Sequence, residues 1–538
     1  MNRYNLWDEE WVLVIDNENK VQKVSLTELI LHADKYKRLA GETALQDLAV
    51  QRVVQAIILS AYYKAGKCTW EDWLETWENK EFDKELILKY KQDWYDRFYL
   101  ISDEYPFMQF TDTKEQCQYL TKTKDFIEKD FRHFIAEVSE SDHKLMPYKT
   151  WESCTLSLAE ATRYLIQYQA IATKNMTAPK DVAPAVCGTL GMFQLITLEC
   201  PNFFETLMIC TPFDIGEDKK MAEPKPLWEN PTRFPHDKRI VPLTDLGMLW
   251  TYPSKRCRLQ IEEDDNVKTI QIFGNHSFAP KVKVKGTKDK EDAQDWAGYN
   301  NLEYLCVRNK DKPMQRPVST SETTYTWTNN IVYLWQLYNL DSEVLSSWVM
   351  RKGNYTWGYE EWLKFLEDEE IDTQYCLRFI ELHTGKTSQW GTMVKAYTTS
   401  TLAIDHNFLT DVNKRTEMQT ILTEIGSCAS SYGIARRRVE QIRTRYAMNN
   451  VAEKYENRYS KEFFDEMEPV ITGYALGEYE KIEDVYKAIR KQMSIIKNNL
   501  ESLYCVGKVK EKQGEYNFTS VLAILMKDWK GAKHIYGV

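Results

Sequence analysis

The sequence predicts an α+β protein in which a large mixed α/β N-terminal globular domain, residues 1–408, precedes a C-terminal four-helix bundle, residues 409–538. Three observations lead to this prediction. The chain has 538 residues, which is too long for one ordinary hydrophobic core. Apolar and polar residues alternate in several segments between residues 240 and 335, as they do in β-strands. From about residue 411 onward, apolar residues recur every three or four positions, as they do in amphipathic helices.

The C-terminal segment contains four amphipathic patterns. Their apolar positions fall within residues 418–446, 463–474, 482–503 and 518–529. Gly477 and the stretch 507–514 interrupt the series. Four such helices with short connections bury their apolar faces against one another, which predicts the bundle.

The N-terminal segment predicts helices and one long loop. A helix is expected over residues 44–64 because apolar residues follow helical spacing and Gly66 stands just beyond its end. Residues 70–98 and 156–172 are also predicted to be helical. Residues 173–191 contain two prolines and two glycines and are predicted to form a loop.

Strands are predicted at both ends of this segment. Residues 6–15 alternate and should pair with residues 21–26 across the turn Asp-Asn-Glu-Asn. Further alternating runs predict strands at residues 258–261, 268–273 and 281–285. The last of these carries Lys281, Lys283 and Lys285 on one face, a common feature of protected edge strands.

The formal net charge of −10 is unevenly distributed. From Asn413 to the C-terminus there are 21 Lys+Arg and 17 Asp+Glu residues, so this segment carries +4 and the preceding part −14. A net negative charge argues against a protein that coats nucleic acid over its whole surface. We therefore expect an acidic main body and a mildly basic helical segment.

The N-terminus and the cysteines favour a soluble intracellular protein. The opening residues MNRYNLWDEEWVLVID lack the basic and apolar regions of a signal peptide, and no apolar run of membrane-spanning length occurs. The 11 cysteines are scattered without a Cys-x-x-Cys pair, as is typical of a reducing compartment. We expect a cytoplasmic protein with no metal site, no cofactor and no membrane partner.

Two short motifs resemble catalytic or nucleotide-binding signatures but lack the residues that complete them. Gly385-Lys386-Thr387 resembles the end of a phosphate-binding loop, but the required earlier glycine is replaced by Ile380, in a run with helix-like spacing. His236-Asp237 resembles the metal-binding dipeptide of phosphohydrolases, but the 8 histidines are widely spread. We predict a binding protein with no catalytic residues. The alternative is a metal-dependent nuclease or phosphohydrolase that uses His236 and Asp237.

Five arginines in one helical stretch suggest contact with phosphate. They are Arg436, Arg437, Arg438, Arg443 and Arg445. A spacing of seven places Arg436 near Arg443, and Arg438 near Arg445, on adjoining stripes of the helix. Guanidinium groups on one helical face suit a phosphate backbone. The alternative, which spacing alone favours, is a solvated face on which Glu440 pairs with an arginine.

The segment from Trp94 to Phe110 carries a resemblance to a known family. It reads WYDRFYLISDEYPFMQF, which resembles the D-x-F-x-L and PFMQ signature of CasA, the large subunit of Cascade, the type I-E CRISPR surveillance complex. The opening NLWDEEWVLV is similar to the first strand of that family. The apolar helix at residues 48–61 and the predicted C-terminal bundle agree in order. The resemblance covers most of the chain and is sharpest near the N-terminus.

The resemblance implies a role in antiviral defence. Members of the family read a short protospacer-adjacent motif in double-stranded DNA, help to separate the strands and recruit a helicase-nuclease, without cleaving DNA themselves. The implied partners are the backbone, small and guide-end subunits of Cascade, the CRISPR guide RNA, the target DNA and the recruited helicase-nuclease. Guide pairing reads most of the target, and the protein reads the short motif.

The resemblance also implies which residue separates the strands. The family inserts a glutamine from a loop, and Gln389 fits that position, with Ser388 and Trp390 beside it. Lys386 would then be a flexible, cationic approach to phosphate. An inserted aromatic side chain offsets part of the unstacking cost, which would suit Trp390. The alternative for Gln389 is an ordinary polar loop residue.

A second loop is implied where the family places a glycine-rich segment in the minor groove. Residues 173–191 correspond to it, but of the glycines only Gly188 and Gly191 remain. Lys174, Asn175 and Lys180 are the expected side-chain contacts to DNA, together with Gly188. Residues 143–151 resemble a loop that meets the guide RNA. The paired cysteines of some relatives are absent.

Overall fold

The structure of the protein is a computed structural model. The residues it describes are 2–111, 127–130, 155–171, 188–190, 194–211, 223–230, 240–241, 245–262, 264–275, 277–278, 306–308, 315–317, 344–345, 374–387, 391–405, 408, 411–444, 452–506 and 518–536. Within these residues the protein mixes helices and sheets, which confirms that part of the predicted fold class.

The helices occur in both halves of the chain. Their bounds are α1 Leu26–Leu31, α2 Ala44–Lys64, α3 Trp70–Asn79, α4 Lys84–Trp94, α5 Leu158–Ile171, α6 Phe203–Cys210, α7 Leu246–Thr251, α8 Val412–Thr444, α9 Ala452–Ala475, α10 Ile482–Val506, α11 Phe518–Gly531 and α12 Lys533–Tyr536.

The described strands precede α8. Their bounds are β1 Arg3–Asn5, β2 Val12–Asp16, β3 Val21–Val24, β4 Tyr36–Leu39, β5 Tyr99–Ile101, β6 Ile127–Asp130, β7 Leu156–Ser157, β8 Gln194–Glu199, β9 Ile240–Val241, β10 Lys255–Ile261, β11 Asn266–Asn275, β12 Ser277–Phe278, β13 Cys306–Arg308, β14 Gln315–Pro317, β15 Val344–Leu345, β16 Gln374–Thr387 and β17 Gly391–Asp405.

The described chain divides into two compact units. The first contains the described residues up to 317, with 380–387 and 391–399. The second contains residues 344–345, 374–379 and 400–405 and the described residues from 408 onward. Both β16 and β17 therefore contribute residues to each unit.

The N-terminal hairpin forms as predicted, but its first strand is shorter. β2 pairs antiparallel with β3, and Asn19 adopts a positive φ of 65° in the turn between them. The predicted start of the strand at residue 6 is wrong. The side-chain oxygen of Asn5 accepts a hydrogen bond from the backbone N–H of Trp7 (3.0 Å), which holds a turn before β2 begins.

Helix α2 has the predicted bounds and lies in the core of the first unit. The hydroxyl of Thr43 caps its N-terminus, and Gly66 follows its end with a positive φ of 70°. All residues from 45 to 62 except Asp47 are buried. The helix packs against α4, α5, α6 and α7, so it is covered on all sides.

The helix predicted over residues 70–98 is two helices, α3 and α4. Lys80 ends α3 in the left-handed conformation, with a φ of 55°. The carboxylate of Asp83 then accepts hydrogen bonds from the backbone N–H groups of Glu85 (3.0 Å) and Leu86 (3.2 Å) and starts α4. This capping satisfies the free donors of a new helix, which explains the break.

The predicted β-rich region contains an antiparallel sheet. β10 pairs with β11, which also pairs with β6 and β7. The strands predicted at residues 258–261 and 268–273 fall within β10 and β11 and are confirmed. The predicted strand at residues 281–285 and the loop at 143–151 lie outside the described residues.

The structure corrects the prediction for Ile380 and Lys386. Ile380 lies within strand β16 and not in a helical run, and Lys386 lies near the end of the same strand and not in a flexible loop. β16 is a neighbour of β17 in a sheet, and only residues 388–390 connect the two strands. A connection of three residues requires an antiparallel hairpin.

The four predicted C-terminal patterns correspond to α8, α9, α10 and α11, and α8 begins earlier than its pattern. α8 packs against each of the other three helices. Trp529 on α11 is buried, its ring lies 6.1 Å from that of Phe463, and its Nε1 donates to the carbonyl of Cys428 (3.4 Å). The contacts join three helices around one apolar core.

Replacing Asp83 tests the start of α4. Burial alone would raise the pKa of Asp83, but hydrogen bonds from Lys67 and from two backbone N–H groups outweigh it and lower the pKa. This stabilisation is present above the ordinary carboxyl pKa and is lost as the pH falls through the lowered pKa. Asp83→Ala should cost about 1 kcal/mol at pH 7 in urea unfolding.

Asp83→Asn is the matched control, because an asparagine caps a helix without titrating. It should retain most of the stability at pH 7 and lose less than the wild type between pH 5 and pH 3. Equal losses for the two proteins over this range would contradict the role of the Asp83 charge.

Candidate nucleic-acid interface

The structure describes only part of the predicted DNA-binding set. Gly188, Lys386, Arg436, Arg438 and Arg443 lie on described backbone. The remaining predicted residues lie outside the described residues: Lys174, Asn175, Lys180, Ser388, Gln389, Trp390 and Arg445, and also His236 and Asp237 of the alternative prediction.

Gly188 packs directly against the end of helix α5. Its backbone N–H donates to the carbonyl of Ile171 (3.1 Å), and the N–H of Leu190 donates to the carbonyl of Ala170 (2.8 Å). A Cβ atom at Gly188 would lie 2.2 Å from the Ala170 carbonyl oxygen. Only glycine permits this approach. We call residues 169–171 and 188–190 the loop base, because the predicted loop leaves α5 and returns to it here.

Gln169 fixes the loop base to strand β10 and to the PFMQ segment. Its Nε2 donates to the carbonyl oxygens of Met108 and Lys255, both at 2.9 Å. Its Oε1 accepts from the backbone N–H of Lys255 (2.9 Å), and its own carbonyl accepts from the hydroxyl of Ser254 (2.6 Å). The side chain is buried. Its amide therefore binds backbone groups as a neighbouring strand would.

The PFMQ segment has a structural role of the same kind. The Oε1 atom of Gln109 accepts from the backbone N–H of Leu259 (2.8 Å), and its Nε2 donates to the carbonyl of Leu100 (2.8 Å). Phe110 donates its N–H to the carbonyl of Cys257 (3.0 Å). The signature residues thus join β5 and β10 instead of forming an exposed contact surface.

Arg52 reaches the loop base from helix α2. Its Nη1 donates to the hydroxyl of Thr189 at 3.1 Å, and both side chains are buried. Arg52, Thr189 and Gln169 were not among the residues predicted from the sequence. The available signal was the presence of long polar side chains within runs that are otherwise apolar, since such residues are seldom buried unless they are bonded.

On helix α8, Arg436 is held by carboxylates of its own unit. Its Nη1 lies 2.5 Å from Oε1 of Glu440 and its Nε lies 3.6 Å from Oε2 of Glu462. The guanidinium also lies over the ring of Tyr459, 4.8 Å from its centre. Burial alone would lower the pKa of Arg436, but the bond to Glu440 and the nearby charges raise it. Glu440 is thus the partner that the alternative interpretation predicted, but the Arg436 guanidinium is half-buried and does not lie on a fully solvated face.

Arg438 lies two residues further along α8 and faces different neighbours. Its Nη1 donates to the amide oxygen of Gln441 at 3.3 Å. Arg443 lies on the last turn of the described helix, and Arg445 follows that turn. The arginine strip is therefore heterogeneous: Arg436 is neutralised by two carboxylates, and Arg438 is bonded to a neutral amide.

Among the described residues, no helix has the length and apolar character needed to cross a membrane. Nor does any group of three or more His, Cys, Asp or Glu side chains there have the arrangement of a metal site.

Comparison with known proteins relates the chain to CRISPR-associated proteins. Residues 5–353 match the family described as CRISPR-associated protein Cse1. CasA/Cse1 of Thermus thermophilus is 25% identical over 275 residues, which are 50% of this chain and 51% of that protein. The chain thus aligns with about half the length of this relative.

Solved structures extend the similarity in fold to nearly the whole chain. Cse1 of Thermobifida fusca matches with a TM-score of 0.72 and 17% identity, over 99% of this chain and 98% of that one. A chain of a CRISPR RNA-guided surveillance complex matches with a TM-score of 0.62 and 12% identity, over 99% and 100%. At these identities the similarity concerns the fold.

A substitution at Gly188 tests the geometry of the loop base. Gly188→Ala places a methyl group against the end of α5, so the backbone must move, at a cost of about 1–3 kcal/mol. Differential scanning calorimetry should show a lower transition temperature for the first unit.

Gly426→Ala provides the comparison, since a Cβ atom at Gly426 within α8 would meet no atom within 4 Å. It should stabilise the second unit by about 0.5–1 kcal/mol. A Gly188→Ala protein as stable as the wild type would show that residues 188–190 do not pack on α5 as described.

Proposed function

The chain belongs to the Cse1 family of CRISPR-associated proteins, and on this premise we propose that it is the non-catalytic large subunit of a type I-E Cascade surveillance complex. In this role it recognises the protospacer-adjacent motif in double-stranded DNA, helps to open the duplex and recruits the helicase-nuclease. The observation that carries the proposal is the family match over residues 5–353. The match in fold over 99% of the chain supports it.

The proposed partners follow from this role. They are the backbone, small and guide-end subunits, the guide RNA, the target duplex and the recruited helicase-nuclease. In such an arrangement the guide reads the target by base pairing, and the protein reads only the short motif and the shape of the duplex. A net charge of −10 suits a protein whose contacts to nucleic acid are confined to a few loops.

The hairpin of β16 and β17 is proposed to open the duplex. Gln389 is one of the three residues that connect strands of 14 and 15 residues, and in this proposal it forms the tip of the hairpin. A glutamine there offers both a donor and an acceptor to unpaired bases. Trp390 would stack on an exposed base, and Ser388 would bond to the backbone. Lys386, now placed on the strand, would approach a phosphate from the side of the hairpin.

The predicted loop that begins and ends at the loop base is proposed to recognise the protospacer-adjacent motif. Lys174, Asn175 and Lys180 would contact the groove and the adjacent phosphates. Gly188 would contribute by holding the returning chain close to α5. In a glycine-rich loop the backbone itself approaches the minor groove closely. Here side chains would make the contacts to DNA instead.

The C-terminal helices are proposed to form a four-helix bundle domain, residues 409–538, that follows a mixed domain of residues 1–408. Its contact with the DNA backbone would come from Arg438, Arg443 and Arg445. Arg436 would contribute less, because Glu440 and Glu462 already neutralise its charge.

Omitting this chain from the assembled complex tests the proposal as a whole. The remaining subunits and guide RNA should bind a fully paired target poorly, and should bind a target whose strands are already unpaired beside the motif much better. Nuclease recruitment should require the chain on both targets. Equal binding of paired target with and without the chain would reject the proposal.

Gln389→Ala tests the role of the hairpin tip. It should weaken binding of the complete complex to a paired target by about tenfold, which corresponds to about 1.4 kcal/mol, as measured by filter binding. A target with an unpaired bubble next to the motif should bind normally, since no strand separation is needed. Gln22→Ala changes an exposed glutamine on β3 and serves as the control. Equal losses on the paired and the bubble targets would contradict the role in duplex opening.

Arg438→Gln tests the arginine strip. Losing one phosphate contact should reduce the slope of log K against log salt by about 1 and should weaken all target sequences alike. Lys461→Gln is the matched control, because Lys461 on α9 pairs with Asp465 at 3.1 Å. An unchanged salt slope for Arg438→Gln would remove this residue from the interface.

A further inference from the structure

The loop base fixes both ends of a chain segment at one place. Gly188 and Leu190 bond to the last turn of α5, which the chain leaves at Ile171. The carbonyl groups at a helix C-terminus have no partners within the helix, and here residues 188 and 190 satisfy two of them. The points at which the chain leaves α5 and returns to it are therefore fixed by residues 169–171 and 188–190.

Thr189 is the residue of the loop base whose side chain is bonded to another helix. Its hydroxyl accepts from Nη1 of Arg52 at 3.1 Å, and the two side chains are 1% and 0% exposed. Burying a guanidinium is costly unless its donors are bonded. Because the guanidinium is planar and its donors point in fixed directions, a bond to it defines both the distance and the orientation of its partner.

We propose that Thr189 and Arg52 are positioning residues for motif reading, an inference that rests on the proposed function. Thr189 is too deeply buried to touch DNA. It would act by holding the returning strand of the loop base against α2 and α5. Side chains that contact nucleobases have to be placed to within about 0.5 Å, and a loop whose attachment to the core can shift does not provide this.

A second set of hydrogen bonds joins the loop base to the core of the first unit, so its position does not depend on the loop residues. Gln169 ties the α5 side of the base to β10 and to Met108 through buried hydrogen bonds. Arg52 ties the other side to α2. The Thr189 side also bonds to the end of α5 through the backbone N–H groups of Gly188 and Leu190. Removing the Arg52 bond therefore loosens the Thr189 side without detaching it and leaves the α5 side in place. Because of this difference, removing the bond between Arg52 and Thr189 should change the selectivity between motifs without unfolding the protein.

The test uses Thr189→Val and Thr189→Ser in the complete complex with guide RNA. Valine keeps the volume but removes the acceptor, and serine keeps the acceptor. Each complex is incubated with a pool of target duplexes randomised at the positions that flank the protospacer, and bound duplexes are sequenced. The valine protein should discriminate between favoured and disfavoured motifs about tenfold less than the wild type, and the serine protein should match the wild type.

The outcomes separate the inference from the proposed function. A wild-type complex that shows no motif preference would reject the proposed function and this inference with it. A wild-type preference that Thr189→Val retains in full would overturn the inference alone. A uniform loss of binding across all motifs, with the same ranking, would show a merely structural role and would also overturn it. If the valine protein fails to assemble, Arg52→Lys, which keeps the charge but not the planar donors, is measured in the same way, with the same results expected.

Discussion

The buried carboxamide of Gln169 holds together three parts of the first unit that are far apart in sequence. It bonds to backbone groups of Met108 and Lys255 from its place in the last turn of α5. Because the amide is buried, breaking one of these bonds leaves a polar group without water, at a cost of roughly 1–3 kcal/mol. The end of α5 is therefore fixed by directional bonds as well as by apolar packing. Everything that starts from this helix end, including the loop base, depends on that constraint.

Helix α5 repeats this device along its length. Arg163 is buried, bonds to the carboxylate of Glu42 and donates to the carbonyl of Trp11 at 2.8 Å. Gln167 accepts from Nε2 of Gln46 on α2 at 3.3 Å. Apolar contacts tolerate a small rotation or slide of a helix, whereas these hydrogen bonds do not. On the proposed function, a loop that recognises a few base pairs would benefit from such a fixed attachment.

Periodicity predicted the parts of the fold that local sequence determines. Helix α2 and the apolar faces of α8 to α11 follow from side-chain spacing, and Gly66 marks the end of α2. The break at Lys80 was missed because a left-handed lysine has no sequence signal. Lys386 was placed in a loop because Gly385-Lys386-Thr387 resembles the end of a phosphate-binding loop and the family resemblance implied a loop there, but it lies in strand β16. Gln169 and Arg52 could not be predicted as a site, because the partners of a buried polar side chain come from elements distant in sequence.

Charge decides how such a chain engages nucleic acid. The segment from Asn413 carries a net charge of +4. The number of its arginines overestimates the positive charge available to phosphate, because Arg436 already faces Glu440 and Glu462. On the proposed function, few phosphate contacts remain, and since each contact adds roughly one unit to the salt slope, the isolated chain should bind DNA weakly at physiological salt. On the same proposal, guide pairing within the complex would hold the duplex nearby and raise the effective concentration for the loops. The acidic body would then disfavour contact with unrelated DNA, so that binding would become tight only where the motif and the guide match coincide.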